Sequence, residues 1–325
     1  MKKILRTLAG LTLIASLAEV ILLSQIHLNP WRLAALFESL ALLLGAFVAF
    51  TYTDFIHRLR KWALASLRWA ILMPFLLLAP YLILAFGTGT FAFLALAKLI
   101  AYIAVPTLLL LPDRLHPAER ASWRDFAAML SLGLPVSAGW LTGIWVWPQD
   151  IYIFRPIFCV CTGAYAFLVI RNLKDAGYKL LFKKADVTEG GVNFVAFFIL
   201  ALPLGLALHF LHPHAHPLSL PAFAADFVGI YLTVAIPEEF LFRGVLQNLL
   251  VKTFQGPRGG QYGLLLASVI FGLSHLHHPP VPNWTYAILA TLAGIFYGNA
   301  WRVRKRTSAS AFTHALVDTV WHFWF

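Results

Sequence analysis

The sequence predicts an all-α, polytopic transmembrane helical bundle of about eleven spans with a cytoplasmic N-terminus, and three observations predict it. Of 325 residues, 60% are hydrophobic and only 12% charged, with a mean hydropathy of +0.76. A water-soluble fold cannot hide that much apolar surface, because its exterior needs polar groups. The apolar residues also gather into runs of about 20, the length that a helix needs to cross hydrocarbon. Finally, the Lys and Arg residues fall in short clusters between those runs, as in cytoplasmic loops.

Taken in order, the first run, 8–26, follows Lys2, Lys3 and Arg6. It starts like a signal peptide, but its apolar stretch is long, Glu19 interrupts it and no small-residue cleavage site follows, so a retained anchor is expected. Runs at 33–53, 63–86, 90–111, 126–146 and 151–170 complete a six-span region within residues 1–190. The largest polar break, 171–192, closes it. The C-terminal unit, 191–325, holds runs at 193–211, 221–242, 261–277, 284–300 and 308–325. The stretch 221–250 reads either as one long kinked span or as a span followed by an interfacial helix, with Pro237 as the break. The run ending in His275 must stop at Pro279-Pro280.

Crossing at every run from a cytoplasmic start gives inner segments holding 21 of the 25 basic residues. The other four, Arg32, Arg68, Lys98 and Arg155, lie in spans or at outer edges. That bias explains the net charge of +11 and a pI near 9.8 without any nucleic-acid partner. Cys159 and Cys161 sit one residue apart in an apolar run and suggest no disulfide. No internal repeat is visible.

Ionisable groups in hydrocarbon cost about 2.5–3.5 kcal/mol each on insertion scales, so each asks for a reason. In the N-terminal region Glu19, Glu38, Arg68, Lys98 and Arg155 share no helical spacing; interhelical pairing, for example of Glu19 or Glu38 with Lys98, competes with a proton or substrate path. The C-terminal unit is richer. Residues 236–243 read Ile-Pro-Glu-Glu-Phe-Leu-Phe-Arg. On a helix Glu239 and Arg243 stand at i and i+4 and can meet, whereas Glu238 is turned about 100° away. Such a split yields one structural carboxylate and one proton acceptor; the bland alternative is a charged helix end. His275 closes the run that contains Phe271, either as a polar terminus or as part of a site. His314 and Asp318 again stand at i and i+4, which suits an oriented acid or base, a proton relay, a metal site or simply a buried pair. His322 extends the same stripe.

In order and spacing, Glu238-Glu239-x-x-x-Arg243, Phe271-x-x-x-His275 and His314-x-x-x-Asp318 resemble the pattern of the CAAX prenyl protease type 2 and bacteriocin-processing (CPBP, or Abi) family of glutamic-type intramembrane proteases, across residues 193–325. The resemblance implies glutamate-dependent hydrolysis of a peptide bond in a membrane-associated substrate. Carried over, Glu238 activates water, His275 helps to hold it, His314 and Asp318 stabilise the oxyanion, and Glu239 with Arg243 keeps the site in shape. The family has Asn or Asp at the last position; an ionised Asp318 cannot donate a hydrogen bond as Asn would. Orientation of His314 by Asp318 is therefore the preferred role. The predicted topology also sets His275 near the outer end of its span and His314 nearer the inner end of its own, so their meeting needs offset, tilted or broken helices.

No cofactor is expected. A zinc protease is the nearest rival, since Glu and His ligate zinc, but the chain has no His-Glu-x-x-His pair; metal analysis separates the two. His209, His212, His214 and His216, with His277 and His278, form either an external metal patch or a solvated loop. A proton-coupled transporter would use the same buried groups, although no duplicated halves appear. A non-catalytic immunity or scaffold protein would keep the fold and tolerate loss of Glu238. The expected surroundings are membrane lipid and a membrane-associated peptide, in a bacterial plasma (inner) membrane.

Overall fold

The computed structural model describes residues 29–116, 118–215, 217 and 219–325. The first predicted span, with Lys2, Lys3, Arg6 and Glu19, lies outside the described residues, as does His216. The described chain is helical, with one isolated pairing, Val146 with Asp150, in place of any sheet.

The helices are α1 (Pro30–Ala49), α2 (Thr53–Ala65), α3 (Leu67–Thr88), α4 (Phe93–Asp113), α5 (Trp123–Ser137) and α6 (Phe154–Ile170). They continue with α7 (Lys184–Ala207), α8 (Leu220–Phe254), α9 (Gly259–Leu273), α10 (Trp284–Arg304) and α11 (Thr307–Trp324). By length and composition α1, α3, α4, α7 and α8 can each cross a membrane, and α6 and α9 are shorter apolar helices. This is an integral membrane protein.

Two elements differ from expectation. The run 126–146 is helical only to Ser137: Pro135 lies in the last turn, and Gly139 and Gly143 take positive φ (66° and 70°), which turns the chain into a Trp-rich connection. Helix α2 was not expected, because Asp54, His57, Arg58, Arg60 and Lys61 make its sequence read as an inner loop. It is amphipathic, with Ala63 buried and Trp62 open. Helix α8 resolves the ambiguity at 221–250 in favour of one long helix. Pro237 does not break it; wider π-type turns, Tyr231–Ala235 and Phe240–Gln247, flank the turn that carries it. Such turns accommodate irregular hydrogen bonding and recur at functional sites.

Of the expected break at 171–192 only 171–183 lies between helices, since α7 begins at Lys184, and that stretch is a docked segment, not a loose tether. Asn248 donates to the Lys174 carbonyl (2.7 Å), Trp301 Nε1 to Ala176 (3.3 Å) and the Thr307 amide to Gly177 (2.8 Å). Buried carboxylates tie the helices at the same end. Asp125 holds Arg171 at 2.6 Å. Asp186 caps α7 through the Lys183 amide and holds Arg306 (2.7 Å), Arg304 (3.2 Å) and Ser308 (3.0 Å). In the N-terminal region Lys98 donates to the Trp140 carbonyl (3.0 Å) and Arg155 pairs with Asp150 (2.7 Å); Glu38 is exposed, and the suggested Glu38–Lys98 pair does not form. Both cysteines are free.

Candidate active site

Helix α8 places its two adjacent glutamates in different surroundings. Glu239 is fully buried. One of its oxygens meets His314 Nδ1 at 2.9 Å; the other accepts from Ser310 Oγ and lies 3.2 Å from Arg243 Nε. Arg243, equally buried, sits over the rings of Phe271 (4.5 Å), Tyr297 (5.7 Å) and Phe242 (5.9 Å). Aromatic faces thus supplement the single carboxylate in holding the guanidinium. Glu238 points the other way, into a cavity of about 300 Å³, and its buried Oε2 has no hydrogen-bond partner among the described residues.

Helix α11 brings Ser310, His314 and Asp318 to one face at four-residue spacing. Between Glu239 and Asp318 the His314 ring is held at both nitrogens, with Nε2 3.3 Å from Asp318. Tyr297 of α10 stacks on it at 4.6 Å with an interplanar angle of 15°. His275 lies just past the end of α9. Its Nδ1 approaches the Phe271 carbonyl at 2.8 Å. A nitrogen facing a carbonyl carries the proton, so the lone pair of the neutral ring is on Nε2. Tyr286 packs against the ring at 4.7 Å.

Glu238, His275, His314 and Asp318 all line the one cavity, whereas Glu239 and Arg243 stand behind it. The expected mismatch in depth does not keep the two histidines apart, because His275, just past the end of the 15-residue α9, and His314 line the same cavity.

Several participants were not singled out in the sequence. Ser310 was legible, one turn before His314 on the same face. Tyr297, Tyr286 and Tyr152 carry no spacing signal, because each comes from another element. The cavity's apolar side is made by Phe197, Phe198, Ala201 and Leu202 of α7 with Ala290 and Ala293 of α10. His278 stands at its edge; burial, and then its neighbour His277, hold its imidazole below the ordinary value. His322 leaves the stripe and pairs with Asp226 at 2.7 Å. Among the described residues no three His, Cys, Asp or Glu side chains converge as a metal-ligand set, His209, His212, His214, His277 and His278 included.

Comparison with known proteins places this geometry. Residues 220–320 match the model of the family described as Type II CAAX prenyl endopeptidase Rce1-like. This segment is Rce1-like. It contains all six of the residues picked out by spacing, and it agrees with the resemblance they carried. No curated protein and no solved structure matches the chain. The Rce1-like segment points to a protease of the membrane-embedded CAAX type.

Proposed function

We propose that this protein is an intramembrane endopeptidase that hydrolyses a peptide bond of a membrane-associated substrate with water activated by Glu238. The observation that carries the proposal is the contrast between the two carboxylates. Glu239 is saturated by Ser310, His314 and Arg243, while Glu238 reaches a cavity with an oxygen left unpaired.

The chemistry follows from that contrast. Glu238 takes a proton from water while the water oxygen bonds to the scissile carbonyl carbon. The lone pair on His275 Nε2 holds the same water from a second side. The carbonyl π pair moves onto oxygen, and the oxyanion needs a donor already in place. His314 Nε2 serves, sharing its proton between Asp318 and the oxyanion; Asp318 thereby orients the ring. As the C–N bond breaks, the proton on Glu238 passes to the leaving nitrogen, giving an amine and a carboxylic acid; the acid's remaining proton then moves to the amine, leaving an ammonium, a carboxylate and Glu238 as it began. Glu239 and Arg243 fix the ring's other side. No metal enters this scheme.

The substrate is a peptide whose apolar portion lies along α7 and α10, a prenylated CAAX-type C-terminus or a bacteriocin-like peptide, in a bacterial plasma membrane. The test is cleavage of an internally quenched, farnesylated peptide by the full chain in liposomes, comparing wild type with Glu238→Ala. Turnover by the wild type alone supports the proposal; equal turnover by both overturns it in favour of a carrier or a non-catalytic factor. Activity that follows stoichiometric zinc instead would replace the metal-free scheme.

A further inference from the structure

We infer that Tyr152, which lies outside the Rce1-like segment, is a substrate-contacting, specificity-determining residue of the cavity that holds Glu238. The inference rests on the protease reading for the identity of the ligand as a peptide.

Among the described residues before α7, Tyr152 alone lines the cavity. It stands on the connection between α5 and α6, which is braced. Trp145 is buried against Phe154 (6.1 Å) and Phe158 (5.3 Å). The Ile151 amide donates to the Trp145 carbonyl at 2.8 Å, and Val146 pairs with Asp150. Asp150 holds Arg155 at 2.7 Å, and the Arg155 guanidinium lies over the Tyr152 ring at 5.4 Å. The ring is thus positioned by its neighbours, yet it is 54% exposed.

That combination differs from the chain's structural tyrosines. A buried tyrosine normally satisfies its hydroxyl. Tyr102, Tyr165, Tyr178 and Tyr231 each donate to a backbone carbonyl. The Tyr152 hydroxyl, on a half-exposed ring, makes no hydrogen bond among the described residues, although its backbone carbonyl accepts from the Arg155 amide. A fixed phenol on the wall of a mixed cavity suits an extended peptide: the ring covers apolar side chains, and the hydroxyl, both donor and acceptor, meets a backbone amide. A bound peptide excludes water from this wall, and an amide left unmet there is costly, so one such contact discriminates between registers of the peptide.

The test uses the full chain in liposomes and a farnesylated, internally quenched peptide. Tyr152→Phe is expected to raise KM about two- to tenfold with kcat held, the pattern of lost uniform binding by one hydrogen bond. Arg155→Ala is expected to raise KM in the wild type and to add less than its own factor in the Tyr152→Phe background, because it acts through the ring. An unchanged KM, or a fall in kcat alone, overturns the assignment. A second arm needs no cleavage. In Glu238→Gln, a Tyr152→Cys thiol is labelled with a maleimide, with Glu238→Gln alone as the blank for Cys159 and Cys161. Added peptide is expected to slow labelling severalfold; unchanged labelling overturns the contact. Protection without cleavage by the wild type would sink the hydrolytic reading and leave the Tyr152 contact standing.

Discussion

Glu238 and Glu239 differ by one position and by everything that surrounds them, so the same substitution at each separates chemistry from structure. Glu238→Gln removes the proton acceptor and disturbs no ion pair. Peptidase activity is expected to fall about 10²–10⁴-fold, the usual contribution of a general base, with the thermal transition in detergent unchanged. Glu239→Gln leaves Arg243 buried without the carboxylate it pairs with. Breaking a buried pair from one side costs about 3–5 kcal/mol, so a marked drop in thermal stability is expected. If Glu239→Gln proved thermally silent and Glu238→Gln destabilising, the two roles would have to be exchanged. Asp318→Asn decides how the last member acts. Asn keeps an acceptor oxygen toward His314 Nε2 but loses the charge that holds the ring. A roughly tenfold lower kcat with KM held is expected, since one interaction made in the transition state is weakened; full activity in the variant would favour direct donation to the oxyanion.

At the scale of elements, the site is assembled by helix ends and turns. The 171–183 segment shows how tightly. Gly177 has a φ of +67°, and a Cβ there would stand 2.3 Å from the Lys305 carbonyl at the turn between α10 and α11. Gly177→Ala is therefore expected to cost more than about 1 kcal/mol, seen as a lower thermal transition with a parallel loss of activity; a transition equal to wild type would mean that this turn bears no load. The six spacing-derived residues were legible because the i, i+4 rule acts within one helix, and Glu239 with Arg243, and His314 with Asp318, obey it. What joins the helices was not legible. The Glu239–His314 contact spans 75 positions and the Ser310–Glu239 contact 71, and no local period encodes either. Pro237 reads as a breaker, yet the wide turns of α8 absorb it. Helix α2 was missed because its charges mask an amphipathic pattern, and α5 was overrun because an apolar tail follows Ser137 in a non-helical path.

Over the whole molecule, the hydrogen bonds sort the connections into two groups, and the sorting matches the charge pattern. Arg60 donates to the carbonyls of Arg114, Val169 and Ile170; Lys179 donates to Thr51, Arg306 to Leu181 and Asn248 to Lys174. The basic connections at 50–61, 114–125, 171–183, 248–258 and 302–307 thereby share one end of the bundle. At the other end the His214 amide donates to Trp324, Lys98 to Trp140, and Asp226 holds His322. A chain whose cationic loops gather at one end is expected to insert with that end in the cytoplasm. Single cysteines replacing the exposed Arg258 and His212 read this directly. With a membrane-impermeant maleimide, Arg258→Cys is expected to label in inverted vesicles and His212→Cys in right-side-out ones. Labelling of both from the same side would contradict the two-ended arrangement. Labelling in the reversed sense would keep the arrangement and invert the protein, placing the connection that carries Tyr152 on the cytoplasmic side.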